Sequence, residues 1–195
     1  MSRTSQIHRV TGETDVSLSL ALDGSGAGVR DTGVGFFNHL LDSLARHGGL
    51  DLDVRVQGDL KTGPHHTVED TGLALGQALD EALRDRSGIT RFGDAVVPMD
   101  EARAFCAVDV SGRPFTVVEG GFPAEQVADF DTDLVEEFFR AVANTAKLTV
   151  HVRVETGTNA HHMVEASFKA FARALRQAVG HDDRVAGVPS TKGLL

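Results

Sequence analysis

The chain has 195 residues, of which 41% are hydrophobic and 24% charged, and its formal net charge is −9. This length and apolar content suffice for a sizeable hydrophobic core, and the acidic balance argues against a protein that neutralises nucleic-acid phosphates. No apolar run approaches the roughly 20 residues that span a bilayer, and the N-terminal sequence lacks the apolar stretch of a signal peptide. We therefore expect a globular cytoplasmic protein with no nucleic-acid and no membrane partner.

The first half of the chain alternates strand and helix patterns. The alternation in "TDVSLSLAL" (14–22) predicts a strand, and the "DGSGAG" that follows it is typical of a hairpin turn. The segment "DTGVGFF" contains two glycines but lacks the third glycine and the strand context of a dinucleotide-binding motif. A dinucleotide site is therefore disfavoured here. An amphipathic helix over "GFFNHLLDSLARHG" (35–48) and a strand over "LDLDVRV" (50–56) then precede "GPHHTVEDTG" (63–72), where a second helix begins.

The second half follows the same order. The stretch "AFCAVDVSGRPFTVVEG" (104–120) predicts two strands joined at "SGRP", with the single cysteine, Cys106, as a buried core residue. One cysteine cannot form an intrachain disulfide, which fits a reducing compartment. A helix over "LVEEFFRAVANTA" (134–146) and a strand over "LTVHVRV" (148–154) lead to a last helix, which opens with "AHHMVEASF" (160–168).

This correspondence indicates an internal duplication. We expect an α/β fold, an α+β sandwich of two similar halves, each a β-sheet plus two helices, with the helices packed together against the sheets. The halves are residues 1–92 and 93–195, together one compact unit. Each half carries one HHxxE box, and the boxes align residue by residue: the first box is His65, His66 and Glu69, and the second box is His161, His162 and Glu165.

The boxes favour metal binding. Adjacent helical residues point about 100° apart, so one box spans two directions, and we expect two metal centres, each with one histidine from each box plus a carboxylate. His39 and Glu137 occupy matching places in the preceding helices and are further candidate ligands. Nitrogen and oxygen donors without thiolate suit Mn, Fe, Co, Ni or Zn. The alternative, a pair of polar helix caps, is disfavoured because caps are usually Ser, Thr, Asp or Asn.

Over nearly its whole length, the sequence resembles the imidazoleglycerol-phosphate dehydratase family. The resemblance lies in "RVTGET", "GVGFFNHLLDSLARHG", "HHTVEDTGLALGQAL", "ITRFGDAVVPMDEA", "DVSGRPF", "DLVEEFFRA", "HHMVEASFKAFARALRQA" and "PSTKG". It implies a hydro-lyase of histidine biosynthesis that removes water from imidazole glycerol phosphate and gives imidazole acetol phosphate. It also implies two Mn²⁺ ions per active site and a large symmetric homo-oligomer, a 24-mer built from trimers, with active sites between subunits.

The resemblance also assigns residues. Several family members have a histidine where this chain has Glu137, a change that alters the charge of the site. The metal ligands it implies are His39, His65, His66, Glu69, His161, His162 and Glu165, with Glu137 as a further ligand. The phosphate contacts it implies are Arg91, Arg113, Lys169, Ser190 and Lys192, whose side chains suit phosphate.

The reaction itself indicates why metal ions are needed. The C–H that is lost has no carbonyl beside it, so the imidazole ring must accept the electrons, and we expect a metal-bound imidazolate. The proton-transfer group stays open among Glu13, Glu69 and Glu165. Two rival functions remain: a dinuclear metallohydrolase, and a metal-binding or storage assembly without chemistry. The basic residues named above favour a phosphorylated small-molecule substrate.

Overall fold

The computed structural model describes residues 2–195, in which we find ten strands, four α-helices and one short 3-10 helix at Leu60–Thr62. Within this range no helix is both long and apolar enough to cross a membrane. The first half contains β1 (Thr4–Val10), β2 (Thr14–Ala21), β3 (Arg30–Asp31), α1 (Gly35–Gly48), β4 (Asp51–Gly58) and α2 (His65–Leu83). The second half contains β5 (Phe92–Met99), β6 (Ala102–Asp109), β7 (Phe115–Glu119), β8 (Gln126–Val127), β9 (Phe130–Asp131), α3 (Leu134–Ala146), β10 (Thr149–Thr156) and α4 (Ala160–Val179).

The two halves have the same sheet topology. One sheet has the order β1-β2-β4-β3 and the other β5-β6-β10-β7. In each sheet the last pair is parallel and the other pairs are antiparallel. The two-stranded hairpin β8–β9 is an addition of the second half. The sandwich of two sheet-plus-helix halves is confirmed, whereas the boundary between residues 92 and 93 stays a prediction because both halves contribute to one core.

The core lies between the sheets and the helices. In β2 the buried side chains of Val16, Leu18 and Leu20 alternate with more exposed residues, as a strand with one covered face requires. Helix α2 packs on β1 and β2 and against α3, while α4 packs on β5 and β6 and against α1. The α2–α3 approach is so close that a Cβ at Gly76 would lie 2.4 Å from the carbonyl oxygen of Val142. The α1–α4 contact positions the site described below.

Two turns differ from the sequence-based expectation. The "DGSGAG" segment is not a hairpin turn, because β2 is followed by a loop whose Ser25 and Ala27 amides donate to the Asp51 carboxylate. The hairpin instead joins β1 to β2 through residues 11–13. The strands on either side of "SGRP" are confirmed as β6 and β7, but β10 lies between them, so they do not pair with each other. Cys106 is a buried free thiol of the core, as expected.

Candidate active site

Each HHxxE box occupies the first turn of a helix. α2 begins at His65, directly after Pro64, and has no side-chain cap. α4 is capped by Asn159, whose side-chain oxygen accepts a hydrogen bond from the His161 amide at 2.9 Å. The alternative that the histidine pairs act as helix caps is therefore wrong. Their imidazole rings are available for other contacts.

Packing of α1 on α4 brings His39 to the second box. The Nε2 atoms of His39 and His161 lie 3.0 Å and 3.1 Å from the same atom, Oε2 of Glu165. One potential ligand atom from each of the three residues lies within 4.8 Å of the other two. Among residues 2–195 this is the one group of at least three such ligands, and we call it the metal-ligand triad. It borders an open cavity of about 750 Å³ that Phe36 also lines.

Glu165 is a buried carboxylate that forms an ion pair with a lysine. Its Oε1 atom lies 2.7 Å from Nζ of Lys169, one turn further along α4. Burial alone raises the pKa of Glu165, but the hydrogen bonds from Lys169 and His39 outweigh it and hold the pKa at about 2. The residue is therefore ionised at neutral pH, and its negative charge faces the two imidazoles.

The second histidine of each box contacts carboxylates outside the box. Nδ1 of His66 lies 3.0 Å from Oδ2 of Asp59, and its Nε2 lies 3.5 Å from Oε1 of Glu13. The hydrogen bond with Asp59 raises the pKa of His66 above its usual value. A predicted catalytic residue, Glu13, thus stands at the edge of the first box.

His162 has the corresponding environment in the second half. Its Nδ1 lies 2.8 Å from Oε2 of Glu101, and its Nε2 lies 3.8 Å from Asp100. The Glu101 hydrogen bond raises the pKa of His162. The pKa of Glu101 itself falls to about 2, because His162 and the backbone amides of Thr158 and Asn159 all donate to its carboxylate.

The first box is more open than the second. His65 and Glu69 are about half exposed, and Nε2 of His65 lies 3.6 Å from the Glu69 carboxylate. Within the described chain, none of the first-box donors joins the metal-ligand triad. The carboxylate of Glu137 pairs with Arg140 on the next turn of α3. The expectation that each centre takes one histidine from each box is not met inside one chain and stays a prediction.

Four of the five predicted phosphate contacts line one cavity. This cavity measures about 360 Å³ and is bordered by Arg91, Arg113, Ser190 and Lys192. The Arg91 guanidinium is held in place by Asp109, with Nε 2.8 Å from Oδ1. The fifth predicted contact, Lys169, instead pairs with Glu165 at the triad. Its assignment to phosphate stays a prediction.

Three carboxylates that support the site are not among the residues predicted from the sequence. Asp129, in the β8–β9 hairpin, accepts hydrogen bonds from the amides that begin α1, including that of Phe36 at 2.9 Å. Asp59 and Glu101 hold the box histidines. Asp59 lies only six residues before the first box, which is a usable signal. Glu101 and Asp129 are brought in by strand connections far along the chain, and no local pattern marks them.

The fold matches that of dehydratases of known structure. A crystal structure from Staphylococcus aureus superposes with a TM-score of 0.84 at 41% identity, covering 92% of this chain and 99% of that chain. A Pyrococcus furiosus structure, solved in complex with (S)-C348, also has a TM-score of 0.84, at 35% identity over 97% of this chain and 100% of that one. The class of protein is thus a hydro-lyase, an enzyme that eliminates water.

The particular family follows from the sequence. The family model for imidazoleglycerol-phosphate dehydratase matches residues 32–175. Enzymes of that name from Symbiobacterium thermophilum and Frankia casuarinae are 57% and 55% identical, covering 99% and 100% of this chain and 93% and 100% of their own lengths. The chain belongs to the imidazoleglycerol-phosphate dehydratase family, and its function is the dehydratase step of histidine biosynthesis. The rival hydrolase and storage functions are set aside.

Proposed function

We propose that this dehydratase converts imidazole glycerol phosphate to imidazole acetol phosphate with two Mn²⁺ ions in each active site. The observation that carries the metal proposal is the triad of His39, His161 and Glu165, whose potential ligand atoms lie within 4.8 Å of one another. We place the reaction in the cytoplasm, and the free buried thiol of Cys106 suits a reducing compartment.

The donor set fits a divalent ion such as Mn²⁺. Two imidazole nitrogens and one carboxylate oxygen converge without a thiolate, a combination that first-row divalent ions accept. Lys169 occupies only Oε1 of Glu165, so Oε2 stays directed at the two imidazoles. The ionised state of Glu165 supplies the negative charge that a cation requires.

The second centre of each active site calls for the first box. In a single chain that box offers His65, His66 and Glu69, but among the described residues it forms no group of three ligand atoms like the triad. We propose that a second copy of the chain completes the site, in a large symmetric homo-oligomer, a 24-mer of trimers. The open, half-exposed first box supports this proposal because its ligands are accessible to another subunit.

The residues divide the chemistry among them. A bound divalent ion supplies Lewis acidity and a template for the imidazole ring of the substrate. Both oxygens of Glu165 are engaged, by Lys169 on one side and by His39 and His161 on the other, so we assign it as a ligand. Glu13 is about half exposed, and its Oε1 lies 3.5 Å from Nε2 of His66, so its carboxylate is our choice to accept the proton from the carbon next to the one that loses hydroxyl. Glu69 is our second candidate for this proton transfer.

The phosphate group of the substrate has a separate place. Arg113 and Lys192 offer a planar guanidinium and a point charge at the cavity where Ser190 contributes a hydroxyl. Arg91 adds a guanidinium that Asp109 already orients. Binding at this cavity fixes one end of the substrate, so that the imidazole end meets the metal ligands with little loss of entropy at the reacting atoms.

The direct test incubates purified, Mn²⁺-loaded protein with imidazole glycerol phosphate and measures the ketone product. We expect turnover with Mn²⁺, and none after exhaustive chelation or in His161→Ala. An Arg55→Ala variant, altered on the outer sheet face, serves as control and should keep full activity. Undiminished turnover by the chelated enzyme would contradict the metal proposal.

A further inference from the structure

The second histidine of each box is held by a carboxylate that the box itself does not contain. Asp59 accepts from Nδ1 of His66 at 3.0 Å, and Glu101 accepts from Nδ1 of His162 at 2.8 Å. We propose that Asp59 and Glu101 are positioning residues that keep these imidazoles in the Nδ1–H tautomer, with Nε2 as the metal-binding atom. This inference rests on the metal dependence proposed above.

Both carboxylates are anchored independently of the histidines. Oε1 of Glu101 accepts hydrogen bonds from the amides of Thr158 and Asn159 at 3.0 Å and 2.8 Å, where α4 begins. Asp59 accepts from the Thr62 hydroxyl at 2.9 Å, and its own amide donates to the Glu13 carbonyl at 3.0 Å. Because each carboxylate has a hydrogen-bond donor other than the histidine, it orients the ring rather than follows it.

The tautomer decides which nitrogen can bind a cation. A neutral imidazole has one N–H and one lone pair, and a carboxylate can accept only from the N–H. With Nδ1–H donated to the carboxylate, Nε2 carries the lone pair. On that side Nε2 of His66 lies 3.5 Å from Glu13, and Nε2 of His162 lies 3.8 Å from Asp100. The Nε2 atom of each ring therefore already has a carboxylate oxygen nearby that could also bind the metal ion.

The same contact arises from different parts of the two halves. Asp59 precedes His65 by six residues, and Glu155 precedes His161 by six. Glu155, however, is taken up by Arg103 and Arg153, with N–O distances of 2.7 Å and 2.8 Å. In the second half the carboxylate comes instead from Glu101, in the β5–β6 connection. The contact is kept although its source differs, which points to a requirement for the contact itself.

The test reads the tautomer directly. Metal-free protein with ¹⁵N-labelled histidine is studied by solid-state NMR at about pH 8.5, where free imidazole is neutral. The His162 signals are assigned by difference with His162→Gln. We expect Nδ1–H in the wild type, a shift towards Nε2–H in Glu101→Ala, and recovery of Nδ1–H in Glu101→Gln, whose amide oxygen still accepts. Asp59→Ala should change the His66 signals in the same way.

A second readout measures free Mn²⁺ by EPR during titration. Glu101→Ala should weaken Mn²⁺ binding by about 10–100-fold, the usual effect of losing an orienting partner. The matched control is Asp51→Ala, because Asp51 also braces two backbone amides but touches no histidine. Glu101→Ala with the wild-type tautomer and wild-type Mn²⁺ affinity would overturn the positioning role alone. A wild type that binds no Mn²⁺ would instead contradict the proposed function, whatever the tautomers are.

Discussion

The two boxes have the same sequence pattern but provide different shares of a metal site. In the second box Glu165 is buried and contacts His39, His161 and Lys169. In the first box Glu69 is 40% exposed, and its one box neighbour, His65, lies 3.6 Å away. Within one chain the metal ligands of the second box are thus already close together, whereas those of the first box are not. Two copies of one motif can therefore differ in function because different side chains of the neighbouring helices contact them.

The neighbouring helices explain this difference. His39 of α1 can donate a hydrogen bond to Glu165, so it joins the second box. At the matching place of α3 the chain has Glu137, which pairs with Arg140. A second carboxylate beside Glu69 would repel it unless a cation lay between them. We therefore expect the first box to gather its ligands only when a metal ion binds.

The largest effects should come from the box histidines. We expect both His161→Ala and His65→Ala to reduce activity to background, since each removes a proposed ligand. The two variants should differ in isolated subunits. There His161→Ala should lose Mn²⁺ binding, because the triad lies within one chain, whereas His65→Ala should keep it. Calorimetric Mn²⁺ titration of dissociated protein measures this. Equal loss of binding in both variants would remove the distinction between the boxes.

The phosphate cavity should be independent of both boxes. Arg113→Ala and Lys192→Ala each remove a charged donor worth about 1.5–3 kcal/mol, which corresponds to roughly 10–100-fold weaker substrate binding. The Mn²⁺ content should stay unchanged, because neither residue belongs to a box. Steady-state kinetics and metal analysis of the same samples check this. Metal loss with unaltered KM would refute the assignment.

Lys169 should matter more for the second box than an ordinary surface lysine does. Lys169→Met leaves Glu165 without its cation and should cost about 1–3 kcal/mol of unfolding free energy. The matched control, Lys147→Met, removes a more exposed pair with Asp80 and should cost below about 1 kcal/mol. Urea unfolding of metal-free protein compares them. Equal costs would show that the Glu165–Lys169 pair is not special.

The pH dependence of stability follows from the low pKa of Glu165. Its folded pKa of about 2 lies below the ordinary value of 4.5, so its contribution is complete above pH 4.5 and is lost as the pH falls towards 2. In Lys169→Met the pKa of Glu165 in the folded protein rises. The variant should therefore lose less unfolding free energy than the wild type as the pH falls from 4.5 towards 2. Unfolding curves at a series of acidic pH values give the slope. A steeper fall of the unfolding free energy with decreasing pH in the variant than in the wild type would contradict this prediction.

The smallest effect concerns the helix starts. Asn159→Ala removes the side-chain cap of α4 and should cost about 1 kcal/mol. Pro64→Ala should be close to neutral, because α2 has no side-chain cap to lose. Thermal unfolding of the two variants makes the comparison. A larger cost at Pro64 would mean that the first box depends on its helix start more than the second does.

The parts of the molecule that local patterns govern could be predicted from sequence. Helices α1 and α3 follow apolar periodicity, and their expected ranges, 35–48 and 134–146, agree with the structure. The boxes at the starts of α2 and α4 were found by repetition. The "DGSGAG" prediction failed because Asp51, a residue distant in sequence, holds that loop open. Turn residues alone could not reveal such a contact.

The supporting residues of the site could not be predicted in the same way. Glu101 reaches His162 because the β5–β6 hairpin lies beside the start of α4, and 61 residues separate the two. The pairing of Lys169 with Glu165 follows only from the packing of the site, while its predicted contact with phosphate stays a prediction. Residue type and spacing find ligands, whereas the groups that orient them depend on tertiary contacts.

The central claim, that each active site combines the first box of one chain with the second box of another, is tested by complementation. His65→Ala and His161→Ala, each inactive alone, are co-expressed so that they assemble together. We predict recovery of a substantial fraction of wild-type activity, because some sites then contain an intact first box from one variant and an intact second box from the other. Mixed oligomers without activity would contradict the claim and assign both boxes of a site to one chain.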